Sequence, residues 1–221
     1  MSRQVIIATR NKDKARELQT LLLNEGISVQ TLDDVDPEHK IPEIKETGTT
    51  LEENALLKAR TVAALLGRPA IADDTGLEVD ALDSAPGVYA ARYAGEGCSY
   101  EDNVNKLLAE LVNVPFSDRT ARFRTIACFA DGEKELTSEG VVEGIITETP
   151  RGEDGFGYDP VFLIFHLGKT YAQLTKEEKN SLSHRSRAIK SLISLLRKRQ
   201  ILKSPSPGDS SSIQGKNRGA S

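Results

Sequence analysis

The chain has 221 residues, 38% hydrophobic and 28% charged, which suits one large domain or two small lobes and excludes collagen-like and wholly disordered classes. A balance of 33 acidic to 29 basic residues leaves a net charge of −4, which argues against broad electrostatic capture of nucleic acid but permits a local basic pocket. Two cysteines, Cys98 and Cys128, are too few for a disulfide framework or a cysteine zinc site. No apolar run reaches the roughly 7–15 residues of a signal peptide or the about 20 of a membrane span. A cytoplasmic protein with no membrane partner and no stable nucleic-acid complex is expected.

In chain order, the β-branched run "VIIAT" (5–9) predicts a buried strand. Helical periodicity then places Ala15, Leu18, Leu21 and Leu22 on one face, with Gly26 as the stop. "ISVQTL" (27–32) predicts a second strand, and the acidic stretch to Glu38 and the Pro42 region a loop. Residues 47–67 form the clearest helix, with Thr49 or Thr50 as cap, Glu52 and Glu53 in its first turn and Gly67 after its end. "PAIAD" (69–73) predicts a strand that delivers Asp73 and Asp74 to its end. A helix from about Tyr100 to Val112 follows, then an antiparallel hairpin over 121–149 turning at Asp131-Gly132. A glycine-rich loop (151–160) leads to the strand "VFLIF", and an amphipathic helix over 183–199 closes the fold. A single domain over 1–200 is expected, with a Ser/Gly/Pro-rich tail over 201–221 that is disordered at least from Lys203. The element order implies a mixed α/β sheet flanked by helices.

Five stretches could carry chemistry, and each has a plainer reading. "TRNKDK" (9–14), between the first strand and helix, can offer anion donors from Thr9, Asn11 and Lys14, or be an ordinary turn capped by Asn11. Glu46 is either a metal ligand or electrostatic trim before a helix. Asp73 and Asp74 point to opposite faces if extended, so one is structural and one faces a cleft, unless "DDTG" is an Asx-turn. With Glu46, the cleft-facing acid could supply the few protein oxygens Mg²⁺ takes. "GFGYDP" (155–160) offers Phe156 and Tyr158 as flat faces for a base, or is a tight turn. Lys179, His184, Arg185 and Arg187 concentrate positive character at a helix start capped by Ser183, where cations oppose the dipole, or make up a solvated face. Magnesium-assisted hydrolysis of a nucleoside triphosphate unites these stretches economically.

"ATRNKDKARELQTLL", "ETGTTLEENALLKA", "AIADDTGLEVDAL", "APGVYAARYAG", "FGYDPVF" and "LTKEEKNSLSHRSRA" resemble, in order and spacing over residues 4–199, the non-standard purine nucleoside triphosphate pyrophosphatases. The resemblance to this inosine/xanthosine triphosphate pyrophosphatase family implies an elongated two-lobed α/β fold with its active site in the inter-lobe cleft. It further implies a homodimer, and Mg²⁺-dependent hydrolysis of ITP, dITP and XTP to the monophosphate and pyrophosphate. By motif it makes Asp74 the catalytic proton acceptor and, with Glu46, a metal ligand. The loop of Thr9, Arg10, Asn11, Lys12, Asp13 and Lys14 would hold the triphosphate, and Thr75 would touch substrate. Phe156, Gly157, Tyr158 and Asp159 would form the nucleoside-binding turn, and Lys179, His184 and Arg185 the remaining contacts. Arg10 and Asp13 stand where the family often has glycine, Thr75 where Ser is commoner, and Leu51 where Phe is usual. Another magnesium-dependent phosphohydrolase, or a nucleotide sensor without turnover, are the rival readings.

Overall fold

A computed structural model describes residues 4–202, so the tail from Lys203 to Ser221 lies outside the described residues. Strand β1 (Val5–Ile7) is followed by α1 (Lys12–Asn24), β2 (Val29–Thr31), the short α2 (Leu32–Val35), α3 (Leu51–Leu66), β3 (Ala70–Val79) and β4 (Pro86–Gly87). Then come α4 (Tyr100–Glu110), β5 (Thr120–Ala130), β6 (Glu135–Ile146), β7 (Phe162–Ile164), β8 (Lys169–Thr170), α5 (Lys176–Leu182) and α6 (His184–Lys198).

Local chemistry sets several of these boundaries. Asn11 Oδ1 accepts from the backbone N–H groups of Asp13 and Lys14, satisfying two free donors at the start of α1. Thr50 and Glu53 form a reciprocal capping box on α3, so Thr50 and not Thr49 is the cap, and Gly67 ends the helix at φ 60°. The 32–35 segment, expected as loop, winds into α2 because Thr31 and Asp34 make the same reciprocal cap. Thr175 and Glu178 likewise start α5, a helix the hydrophobic pattern does not announce.

The eight strands form one sheet in the order β2-β1-β3-β5-β6-β7-β8, with β4 paired to β3. β1 runs parallel to β2 and β3, and every other pairing is antiparallel. β3 is the main departure from expectation. It does not stop at Asp73 but continues to Val79, so the acidic pair sits inside the strand and not at its end. Asp and Gly favour strands poorly, but residues 73–79 pair with 121–127 of β5, and that ladder outweighs local preference.

Alternation along β3 and β5 separates two cores. Ile71, Ala127 and Phe129 face α1 and α6, where Leu18, Leu22, Ala188, Leu192 and Leu196 pack, and Ile201 and Leu202 extend this cluster. Ala70, Ala72, Ile126 and Cys128 face α3 and its Ala55, Ala59 and Val62. Farther along the same strands, Leu77, Val79, Ala121, Phe123, Val142 and Ile146 belong to a third core with Leu107 and Leu111 of α4 and Tyr171. Residues 73–76 therefore occupy the waist between the cores at the two ends of the long strands.

Candidate active site

The waist is where the paired acids separate. Asp73 shares the face of Ile71 and reaches α6: Arg185 Nε donates to its Oδ2 at 3.0 Å. Asp74 shares the face of Ala72 and reaches α3: Lys58 Nζ donates to Oδ1 at 2.9 Å, and Asn54 Nδ2 to Oδ2 at 3.4 Å. Lys14, in the first turn of α1, lies between them, its Nζ 3.8 Å from Asp73 and 4.0 Å from Asp74. Lys58 also donates to Glu46 Oε1 at 2.6 Å, so one ammonium joins Glu46 to Asp74, while Arg92 approaches Glu46 from outside at 3.5 Å.

These surroundings give the three carboxyls different tendencies. Burial alone would raise Asp73, but Lys14, Arg185 and Lys58 outweigh it and hold the group well below the usual carboxylate range. Glu46 is likewise held low, its burial outweighed by Lys58, Lys14 and Arg92. Asp74 moves upward: burial dominates, Lys58 and Lys14 offset only part of it, and Glu46 adds repulsion. Lys58 is buried, yet Asp74 and Glu46 push its pKa up to about 12.

The cleft opens beside this cluster. Asn11, Lys14, Glu46, Asp74 and Thr75 line it from the first half of the chain, and Phe156, Gly157, Asp159, Lys179, His184 and Arg185 from the second. Only two residues of the 9–14 loop line it. Arg10 is turned away into ion pairs with Asp33 and Asp36, and Lys12 is solvent-exposed. Thr9 Oγ1 accepts from the Asn11 N–H at 3.2 Å, and Asp13 accepts from the Tyr100 hydroxyl at 3.3 Å, so both shape the loop.

Among the lining residues from the second half of the chain the expected roles divide again. Phe156 lines the cleft beside Tyr100, ring centroids 5.8 Å apart. Tyr158 also borders the cleft but is not an open base platform: its ring is buried in the third core and its hydroxyl donates to the Ala90 carbonyl at 2.9 Å. Asp159 is buried, accepting from the Phe156 N–H at 2.8 Å and from Lys179 Nζ at 2.6 Å, which shapes the turn. Lys179 donates again to Glu17 at 2.7 Å, and its ammonium lies 4.9 Å from the Phe156 ring centre.

Ser183 does cap α6, accepting from the Ser186 N–H. The positive character expected there is nonetheless matched internally. Arg185, only 2% exposed, pairs with Asp73 and Glu17 and donates to Thr75 Oγ1 at 3.2 Å. His184 is not a cation at neutral pH: burial, then Arg185 and Lys179, hold its pKa well below 6.5. Its ring stacks on Phe123 at 4.6 Å, and Nδ1 lies 2.6 Å from Thr125 Oγ1. Arg187 donates outward to the Val141 carbonyl.

Lys58, Glu17, Asn54, Arg92, Thr125 and Tyr100 complete the arrangement without having been singled out by motif. Lys58 and Asn54 did carry a signal, since both fall on the apolar face of α3 among Leu51, Ala55 and Val62. The others are brought in by strand register or by helix crossings far apart in sequence.

The donor chemistry suits a magnesium ion. Glu46 and Asp74 are near enough to share one ammonium, and both face the cleft. The described residues contain no group of three or more His, Cys, Asp and Glu poised around one point. Mg²⁺ typically takes one or two protein carboxylates and completes its shell with water and phosphate.

The Ham1 family profile matches residues 5–195. The dITP/XTP pyrophosphatase of Bacillus licheniformis is 50% identical over 195 residues, covering 88% of this chain and 98% of the relative. That of Bacillus subtilis is 47% identical over 195 residues, covering 88% and 97%. Among solved structures, the Staphylococcus aureus Ham1 protein superposes with a TM-score of 0.77 at 40% identity, covering 89% of this chain and 99% of that one. With an open mixed sheet, a carboxylate-lined waist and this likeness along nearly its whole described length, the chain belongs to the Ham1 family.

Proposed function

We propose that the protein hydrolyses non-standard purine nucleoside triphosphates, ITP, dITP and XTP, to the nucleoside monophosphate and pyrophosphate. One observation carries this reading: a single cleft joins Lys14, Glu46 and Asp74 to Phe156, His184 and Arg185, in a chain half identical to dITP/XTP pyrophosphatases. The first group suits a triphosphate and the second a flat base.

Lys14, at the positive end of the α1 dipole, positions the phosphates, largely an electrostatic task. Glu46 and Asp74 would hold a magnesium ion, which when bound would supply positive charge to the phosphates. Water attacks the α-phosphorus, the bond to the bridging α,β-oxygen breaks, and Asp74 takes the proton of the attacking water. A carboxyl raised above its ordinary pKa is a better acceptor than an exposed one, while Lys58 keeps it ionised and oriented. Asp73, held low and tied to Arg185, supports the base end of the cleft and does not share that role. Phe156 supplies the stacking face. The active unit is a homodimer acting in the cytoplasm on free nucleotides. Among the described residues no helix is long and apolar enough to cross a membrane.

Pyrophosphate release from dITP, XTP, dATP and dGTP, with and without Mg²⁺, tests the reading. Expected is Mg²⁺-dependent release from dITP and XTP and far slower release from dATP. Equal rates on dATP and dITP would refute the specificity, and binding without turnover would favour a sensor. Asp74→Asn should lower kcat by about 10²-fold or more if the carboxylate is the base.

A further inference from the structure

Beside the cleft, four side chains form a hydrogen-bonded chain. Thr75 and Thr125 face each other across β3 and β5, their Oγ1 atoms 2.7 Å apart. Thr75 Oγ1 is also 3.2 Å from Asp73 Oδ2 and 3.2 Å from Arg185 Nη2. Thr125 Oγ1 is 2.6 Å from His184 Nδ1. A hydroxyl has one hydrogen to give and two lone pairs to fill.

The anchored end decides the rest. Asp73, in an ion pair with Arg185, can only accept, so the Thr75 hydrogen goes to Asp73. Arg185 can only donate, so it fills one Thr75 lone pair and Thr125 must fill the other. The Thr125 hydrogen is then committed, and Thr125 has only a lone pair to offer His184. Reversing the chain would forfeit the Thr75–Asp73 bond. His184 is neutral, so only one ring nitrogen carries hydrogen. Its Nε2 makes no hydrogen bond among the described residues and is not one of the sealed polar atoms lacking a partner, while the residue lines the cleft.

We propose that Thr125 is a positioning residue that fixes His184 as the Nδ1–H tautomer, presenting the Nε2 lone pair to the cleft as an acceptor for the substrate base. Resting on the functional reading above, this assigns His184 to a ring N–H of the base. A 6-oxopurine carries hydrogen at N1, whereas adenine has a lone pair there and would meet the imidazole lone pair to lone pair.

The first measurement uses the intact wild-type protein: side-chain ¹⁵N chemical shifts of His184 at neutral pH. The expected pattern is a protonated Nδ1 and an unprotonated Nε2, and the opposite pattern overturns the assignment. Thr125→Val should move the proton toward Nε2 and raise the KM for dITP by about tenfold, one hydrogen bond's worth, with kcat less affected. Thr125→Ser should restore both signatures. A Val variant with wild-type tautomer and KM also overturns the proposal. If wild type shows the Nδ1–H pattern yet hydrolyses neither dITP nor XTP, the functional reading fails and the tautomer assignment stands.

Discussion

Gly140→Ala is the sharpest test of how the sheet positions α6. Gly140 lies in β6 opposite the first turn of that helix. A methyl group there would sit 2.5 Å from the Ala188 amide nitrogen, 2.9 Å from Arg187 Cβ and closer still to the His184 carbonyl oxygen. Ordinary contact begins near 3.4 Å, so the start of α6 must retreat by about 1 Å. Two of the three obstructing atoms are backbone, so no flexible side chain can absorb the clash. Overpacking of this kind costs about 1–3 kcal/mol. Because His184 and Arg185 ride on that turn, a displacement of about 1 Å should also reduce kcat/KM by up to about 10²-fold. Urea unfolding and dITP kinetics measure the two effects on one sample. A variant with wild-type midpoint and wild-type kcat/KM would refute the claim that this close approach holds the start of α6 in place.

Lys58→Met removes the ammonium shared by Glu46 and Asp74 and leaves the buried Asp74 carboxylate facing the half-buried one of Glu46. Stability at pH 8 should fall by about 3 kcal/mol, the lower end for a broken buried pair because Lys14 and Arg92 remain. Glu46's depressed pKa in the wild type means its contribution is present above 4.5 and lost on acidification, so the wild-type advantage in urea titrations should shrink toward pH 4. Millimolar Mg²⁺ should raise the Tm of this variant more than that of wild type. His184, neutral when folded, takes up a proton on unfolding below its ordinary pKa of 6.5. Its contribution is therefore complete above pH 6.5 and lost below it at up to about 1.4 kcal/mol per pH unit, a slope that His184→Gln should remove from unfolding titrations. Burial pushes the Cys128 thiol up to about 12, so native protein should expose one thiol, Cys98, to a disulfide reagent and two after denaturation.

Features with local causes were legible in the sequence. Asn11 at the start of α1, Gly67 at the end of α3 and the Asp131-Gly132 hairpin each depend on residues within one turn of the chain. The opposite facing of Asp73 and Asp74 was also legible, because strand alternation is local once the segment is extended. The length of β3 was not, since Asp74-Thr75-Gly76 becomes strand only through the register that sets Thr75 against Thr125. The site followed the same division. Motifs located Lys14, Glu46, Asp74, Phe156, His184 and Arg185, all of which line the cleft. Arg10 and Lys12 lie outside the cleft lining, and Tyr158 borders it with its ring packed in the third core, because their partners or solvent exposure are fixed elsewhere in the fold. Glu17, the common partner of Lys179 and Arg185, lies more than 160 residues away from both in sequence. No spacing rule reaches that far.

The ion pairs around the waist have a consequence in charge balance. Five carboxylates, those of Glu17, Glu46, Asp73, Asp74 and Asp159, face five cations, Lys14, Lys58, Arg92, Lys179 and Arg185, and the exposed Glu96 also pairs with Arg92. The cleft and its immediate partners thus carry no net positive charge, despite the density of basic side chains. A polyanion entering such a site finds its charge redistributed but not neutralised, and the deficit grows with every phosphate. A triphosphate is best accommodated in company with its own divalent counter-ion, and a site balanced in this way loses little by standing empty.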